Sequence, residues 1–271
     1  MTEKINNKYV LLHGDCMSLM RDIPAHSIDM ICTDLPYGVI NRSNKNSSWD
    51  NILPLDELWG YYSRIIKDNG AIVLFSQGMF TARLMMSNPK MWKYNLIWNK
   101  INRPTGFLNA NRMPLRVHED ICVFYKKLPE YHPQMTSGNV NHRRGGAGNS
   151  KFKQGKNGCY GKFKPTETIL TNDKYPLSII NIPKEHSTFY HPTQKPVALI
   201  EWLIKTYTSE GQIVLDSTAG SMTTAIAAIG TNRRCICIEK DDKYFEIGSK
   251  RVSDFINGRQ PNLFNKVCPI I

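Results

Sequence analysis

Ile28-Asp29-Met30-Ile31-Cys32-Thr33-Asp34-Leu35-Pro36-Tyr37-Gly38 is a largely apolar run that stops at an acid, a proline, an aromatic ring and a glycine. That order reads as a buried strand opening into a rigid turn at the edge of a sheet. In open α/β sheets, ligands bind at that edge. Pro36 fixes its own φ and biases Leu35 away from the helical region, so Asp34 and the Leu35 carbonyl can be held facing one small volume. Tyr37 adds a flat face. Two acceptors beside an aromatic plate suit a planar group with an exocyclic amine, such as a nucleobase. The same residues also suit an ordinary strand-to-loop turn, and the rest of the chain has to decide between the two.

Working outward, Tyr9–Leu12 is a short strand, and Asp15 in the turn His13-Gly14-Asp15-Cys16 either caps the helix over 16–22 or meets a ligand. Beyond the tyrosine turn, the polar segment Asn41–Ser48 reads as a loop beside a site. Leu55, Leu58, Tyr62, Ile65 and Ile66 recur at helical spacing, with Asn69-Gly70 as the stop. Strands follow over Ala71–Phe75, Tyr94–Trp98 and Ile121–Tyr125, with a helix over Phe80–Met86 and an Asn-, Arg- and Pro-rich loop over Ile101–Leu115. Leu177–Ile182 returns to strand character. His191-Pro192-Thr193-Gln194-Lys195-Pro196 then introduces a helix, and Lys195 beside its N-terminus makes a site for a carboxylate. Gln212–Asp216 is a strand ending in an acid, followed by the small-residue turn Ser217-Thr218-Ala219-Gly220-Ser221, which lets a ligand approach the backbone. The next strand, Arg234–Glu239, ends in an acid about twenty residues past that turn, where a ribose-binding carboxylate falls. Tyr244–Ile256 reads as an amphipathic helix that closes the ordered part of the chain. Strand and helix alternate as in a Rossmann-like, doubly wound, mostly parallel α/β sheet.

The 271 residues suffice for one large domain with an inserted lobe, and 41% hydrophobic with 21% charged residues is ordinary for a globular chain. No apolar run is long enough to span a bilayer and the N-terminus lacks a signal peptide's apolar core, so the cytoplasm is expected. Seven cysteines without a CxxC pair suggest neither a zinc site nor a disulfide framework. The net charge of +12 is concentrated, because residues 126–165 carry nine basic residues against one acid. Glycines and the aromatics Tyr131, Phe152, Tyr160 and Phe163 punctuate that stretch, which suits phosphates and bases. The expected organisation is a catalytic half over 1–125, a basic target-recognition insertion over 126–176, and a cofactor-binding half of the same domain over 177–271.

Taken together, the chain resembles the S-adenosylmethionine-dependent amino-group DNA methyltransferases, in the class whose catalytic motif precedes the cofactor motif. Asp34-Leu35-Pro36-Tyr37 is similar to the family's Asp-Pro-Pro-Tyr, with Leu35 replacing the first proline. His118-Glu119-Asp120 with Val123-Phe124 is similar to the segment before the target-recognition region. His191 to Pro196 and Asp216 to Thr224 resemble the two cofactor-contacting motifs, and Met222 stands where the family usually has a second glycine, a position from which a side chain would crowd the cofactor's methionine end.

The resemblance implies S-adenosylmethionine as cofactor, with Asp216 and Lys195 at its amino acid end, Ser217, Gly220 and Ser221 along the turn, Glu239 on its ribose and Asp15 on its adenine. It implies methylation of the N6 amine of an adenine flipped out of double-stranded DNA, with Asp34 and the Leu35 carbonyl each accepting one amine hydrogen, Tyr37 stacking on the base, and no metal. Asp34, where cytosine enzymes tend to carry Ser, favours adenine over the N4 amine of cytosine. The other readings are a DNA-binding relative whose pocket Met222 has closed, a nicotinamide-dependent oxidoreductase, and a methyltransferase of RNA or of protein glutamine. Similar enzymes often dimerise, which leaves a homodimer open.

Overall fold

The computed structural model of the chain describes residues 3–38, 50–101, 103–140, 171–184, 190 and 193–258. The loop expected over 41–48, most of the basic stretch and His191-Pro192 lie outside the described residues. Residues 1–132 and 178–271 form one compact unit, and Pro133–Leu177 form a second. In the second, β7 (Thr136–Ser137) pairs antiparallel with β8 (Asp173–Lys174).

The first unit is built on a nine-stranded sheet. Its strands are β1 (Glu3–Asn6), β2 (Tyr9–His13), β3 (Ile28–Thr33), β4 (Ile66–Ser76), β5 (Trp92–Asn99), β6 (His118–Phe124), β9 (Ile179–Asn181), β10 (Ile213–Asp216) and β11 (Arg234–Glu239), in the order β1-β2-β11-β10-β3-β4-β6-β5-β9. The five strands from β2 to β4 run parallel. β6 is reversed between β4 and β5.

The helices are α1 (Cys16–Leu19), α2 (Leu55–Ile65), α3 (Met79–Ser87), α4 (Val197–Tyr207), α5 (Thr223–Gly230) and α6 (Asp242–Ile256). β3 is buried along its whole length and its side chains alternate between two cores. Met30 and Cys32 pack with α4 and α5, whereas Ile28 and Ile31 pack with α1 and α2. Helices on both faces make the sheet doubly wound, as the alternation predicts. Five of the cysteines, including Cys32 and Cys235, are reduced and buried, and act as small hydrophobes.

One boundary differs from the sequence reading. Asn69-Gly70 does not stop α2, which ends at Ile65, and β4 begins at once with Ile66. The β3–β4 register shifts between Ile28 and Met30. A Cβ on Gly70 would lie 2.7 Å from both the Asp29 carbonyl and the Ile66 side chain, so this glycine serves close strand packing.

The crossovers leave β10 and β3 in opposite directions across the sheet, which makes the boundary between them the switch point of the fold. That crevice, outside the carboxyl ends of the strands, is where such sheets take ligands.

Candidate active site

The site edge is formed by the carboxyl ends of β2, β11, β10, β3 and β4. Because β6 runs the other way, it presents its amino end there, and with it Glu119. A cavity of about 680 Å³ opens on this edge, large enough for a cofactor-sized ligand. Asp15, Asp34, Leu35, Pro36, Tyr37, Lys195, Asp216, Ser217, Gly220, Ser221 and Glu239 all line it. Eight acids and four lysines line this cavity, in a chain whose net charge is +12. Its interior therefore favours a cationic ligand.

A hydroxyl network ties the two sides of the switch point together. Thr33 Oγ1 donates to Asp216 Oδ1 at 2.6 Å and lies 2.8 Å from Thr218 Oγ1. Thr218 Oγ1 in turn donates to the main-chain carbonyl of Asp34 at 3.0 Å. Thr224 Oγ1 donates to Asp216 Oδ2 at 2.6 Å, and Tyr62 OH lies 2.6 Å from Ser217 Oγ. Burial pushes the Asp216 carboxyl up to about 6, against these hydrogen bonds.

On the turn over 34–38, Leu35 buries its side chain. Tyr37 stacks on Phe80 with ring centroids 5.1 Å apart and donates its hydroxyl to Asp34 Oδ1 at 2.6 Å. The Lys195 ammonium donates to Asp34 Oδ2 and lies 3.3 Å from Glu119 Oε2, while Lys100 lies 2.5 Å from Glu119 Oε1. Burial raises the Asp34 carboxyl, opposed by Lys195 and reinforced by Glu119. Burial works to lower Lys195 and to raise Glu119. Asp34 and Glu119 nevertheless hold the ammonium above its usual value, and Lys195 and Lys100 hold Glu119 below its own. Lys195, which lines the same cavity as Asp216, joins Asp34, Glu119 and Lys100 in a cluster with two formal charges of each sign.

On the other side, Gly220 sits at φ 52°, a left-handed conformation that favours glycine. Its N–H donates to Glu239 Oε2 at 2.6 Å, and Asp241 N–H donates to Oε1 at 2.8 Å, so both oxygens of this carboxylate are fixed. Burial raises its proton affinity. Asp15 caps α1 through Met17 N–H at 3.0 Å and pairs with Lys240 at 3.1 Å, while also lining the cavity. The two roles weighed for Asp15 are geometrically compatible.

Met222 does not crowd the cavity. It is fully buried at φ 61°, and its side chain turns into the packing between α5 and α6. There it occupies the room a side chain at Gly248 would need, since a Cβ on Gly248 would lie 2.4 Å from Met222 Cγ.

Thr33, Glu119 and Thr218 fall inside motifs read from the sequence but with no role of their own there, and Lys100 falls outside them. The signal for Lys100 is a charge two residues past the apolar run Tyr94–Trp98, and for Glu119 a place in the acidic pair Glu119-Asp120 ahead of the apolar run at Ile121. Their convergence depends on β6 running backwards, which no local pattern encodes.

Residues 28–250 match the profile of a family described as DNA methylase. The chain is 26% identical over 263 residues to the DNA adenine methyltransferase YhdJ of Escherichia coli (strain K12), covering 91% of this chain and 83% of that one. It is 28% identical over 278 residues to the Type II methyltransferase M.HinfI of Haemophilus influenzae, covering 94% and 71%. Among solved structures, the M1.HpyAVI–SAM complex is similar with a TM-score of 0.58 at 24% identity, covering 89% of this chain and 98% of that one. The cytosine-N4-specific PvuII DNA methyltransferase is similar with a TM-score of 0.65 at 15% identity, covering 92% of each chain.

Proposed function

The chain belongs to the DNA methylase family, and from that premise we propose that it transfers a methyl group from S-adenosylmethionine to the N6 amine of an adenine flipped out of double-stranded DNA. The observation that carries this reading is the hydrogen bond from Thr33 to Asp216, which joins the base-binding turn and the small-residue turn in one acid-lined cavity. The adenine assignment is supported by Asp34 at the head of the catalytic turn and by the name of the Escherichia coli relative, a DNA adenine methyltransferase.

The cavity fits such a cofactor. It favours a cation, Gly220 brings the backbone to its wall, and Glu239 lines it with a carboxylate suited to accept from a ribose diol. Asp216 and Lys195 would hold the amino acid end, with Ser217, Gly220 and Ser221 along it, Glu239 the ribose, and Asp15 the adenine. S-adenosylmethionine supplies, when bound, a methyl group on a sulfonium that leaves as a neutral thioether.

The chain's own residues prepare the nucleophile. The target base must leave the stack, because its amine is unreachable inside the duplex. Tyr37, backed by Phe80, offers it a replacement stacking face. Asp34 and the Leu35 carbonyl each accept one amine hydrogen, which draws the nitrogen lone pair out of conjugation. A carboxylate has about four lone-pair positions, so Asp34 can accept the amine while Tyr37 and Lys195 stay in place. As the N–C bond forms the amine sheds a proton, and Asp34, whose proton affinity burial raises, stands beside it. Rate enhancement comes from positioning and fixed charge, with no covalent enzyme intermediate.

The basic stretch 126–176 is assigned to target recognition between the two halves, 1–125 and 177–271. Among the described residues no helix is long and apolar enough to cross a membrane, and the cytoplasm, where such DNA lies, is the setting we infer. Methyl transfer to unmethylated DNA, with nucleosides identified by mass and the site mapped by sequencing, tests the reading. N6-methyladenine is expected from the wild-type protein and none from Asp34→Ala. N4-methylcytosine would transfer the same geometry to the other base, and methylation of RNA or protein in preference to DNA would sink the proposal. Sedimentation tests the homodimer.

A further inference from the structure

At the rim of the cavity, the connection from β5 to β6 exposes apolar side chains for which the fold has no use. Residues 103–117 form a closed finger. Thr105 and Arg116 exchange main-chain hydrogen bonds of 2.8 and 3.0 Å at its base, and Gly106 turns left-handed into a short 3₁₀ turn over Phe107–Asn109. Arg112 and Met113 N–H both donate back to the Asn109 carbonyl, at 2.8 and 3.0 Å. The tip is therefore preformed, yet it holds Phe107 76% and Leu108 84% exposed. An apolar pair held outward on a satisfied backbone marks a contact surface.

Two observations identify what it meets. The finger carries Arg103, Arg112 and Arg116 and no acid, so its charge is complementary to phosphates. Its base is part of the site, because Thr105 lines the cavity and Arg116 donates to Gln77, which also lines it. A two-fold contact with a second copy would bring like-charged arginines together, which disfavours that occupant.

We propose that Phe107 and Leu108 are a wedge that enters the duplex beside the target adenine and fills the space left when that base swings into the cavity, with Arg112 and Arg116 on the flanking phosphates. This rests on the DNA methyltransferase reading above. Extruding a base leaves an unstacked gap, and apolar side chains are what proteins insert between base steps. The wedge acts only while the base has to be held out of a paired stack.

The test compares wild type with the Phe107→Ala/Leu108→Ala double variant in single-turnover methyl transfer to two duplexes carrying the mapped site. One is fully paired, and in the other an abasic position faces the target adenine, which is then already unpaired. The variant is expected to lose at least about tenfold on the paired duplex, and to come within about threefold of wild type on the abasic one. A 2-aminopurine placed at the target should brighten with wild type and stay dark with the variant on paired DNA. Activity on the abasic duplex also shows that the variant is folded. An equal loss on both duplexes, or no loss on either, would overturn the wedge, as would a wild-type dimer that the substitutions convert to monomers with equal loss on both. If wild type methylates neither duplex, the methyltransferase reading falls and the wedge with it; if wild type is active and the paired-versus-abasic contrast is missing, the wedge alone falls.

Discussion

Replacing Lys195 by Met removes the one cation that Asp34 and Glu119 share, and leaves a side chain of similar length. The Lys195 side chain is 6% exposed, and its two partners are 21% and 13% exposed, so solvent replaces little of what is lost. Breaking a buried pair in this way costs about 3–5 kcal/mol at neutral pH. The cost should depend on pH in a definite direction. Without the ammonium, the Asp34 carboxyl, which burial already raises, moves further above its unfolded value while Glu119 keeps Lys100, so the folded state binds a proton that the unfolded state lacks. Stability is then lost as pH rises through the unfolded and up to the folded value, and is recovered on acidification at about 1.4 kcal/mol per pH unit per proton. Lys195 in the wild type contributes stability that is lost only as pH rises through its raised folded value, well above this window. Urea denaturation of wild type and Lys195→Met at pH 8 and pH 5 reads the difference, which should be full at pH 8 and clearly smaller at pH 5. A deficit below about 1 kcal/mol at pH 8, or one equal at both pH values, would refute the picture of a lysine shared between two buried acids.

Three further outcomes follow from the same geometry. Binding of S-adenosylmethionine should strengthen as pH rises through about 6, where Asp216 ionises to meet the cofactor's ammonium, and calorimetry across pH 5–8 should find this dependence gone in Asp216→Asn. Met222→Gly should leave cofactor affinity within about twofold while lowering stability by about 1–3 kcal/mol, the lost packing exceeding the relieved left-handed strain; tenfold tighter binding would restore the idea of a crowded pocket. Gly70→Ala should lower the melting temperature through a cost of about 1–3 kcal/mol, because its Cβ would meet the Asp29 carbonyl and Ile66 at 2.7 Å, and an unchanged melting curve would show that β3 and β4 can separate there without penalty.

The parallel core was legible because each of its strands is a short apolar run that ends in a polar group. Asp34, Asp216 and Glu239 could be singled out for the same reason, as could the small residues around Gly220, and all line one cavity. What local patterns could not supply was direction. Nothing in Ile121–Tyr125 says that its strand runs against its neighbours, so the approach of Glu119 to Lys195 was invisible. The end of α2 was misplaced because Asn69-Gly70 carries the same signature whether a glycine ends a helix or lets two strands close up. Met222 was judged by its position in a motif, whereas its orientation depends on Gly248, which lies on a different helix.

The bond between Thr33 and Asp216 spans 183 residues of sequence, which gives the protein a clock during its synthesis. A ribosome delivers about 5–20 residues per second, so the catalytic turn leaves the tunnel on the order of ten seconds before the strand that braces it. Throughout that interval the nascent chain has the turn over 34–38 and lacks the floor beneath it, because β10, the small-residue turn and Glu239 have yet to be made. Activity should therefore switch on in a single late step, when the final strands slot in beside a neighbour that has been waiting for them.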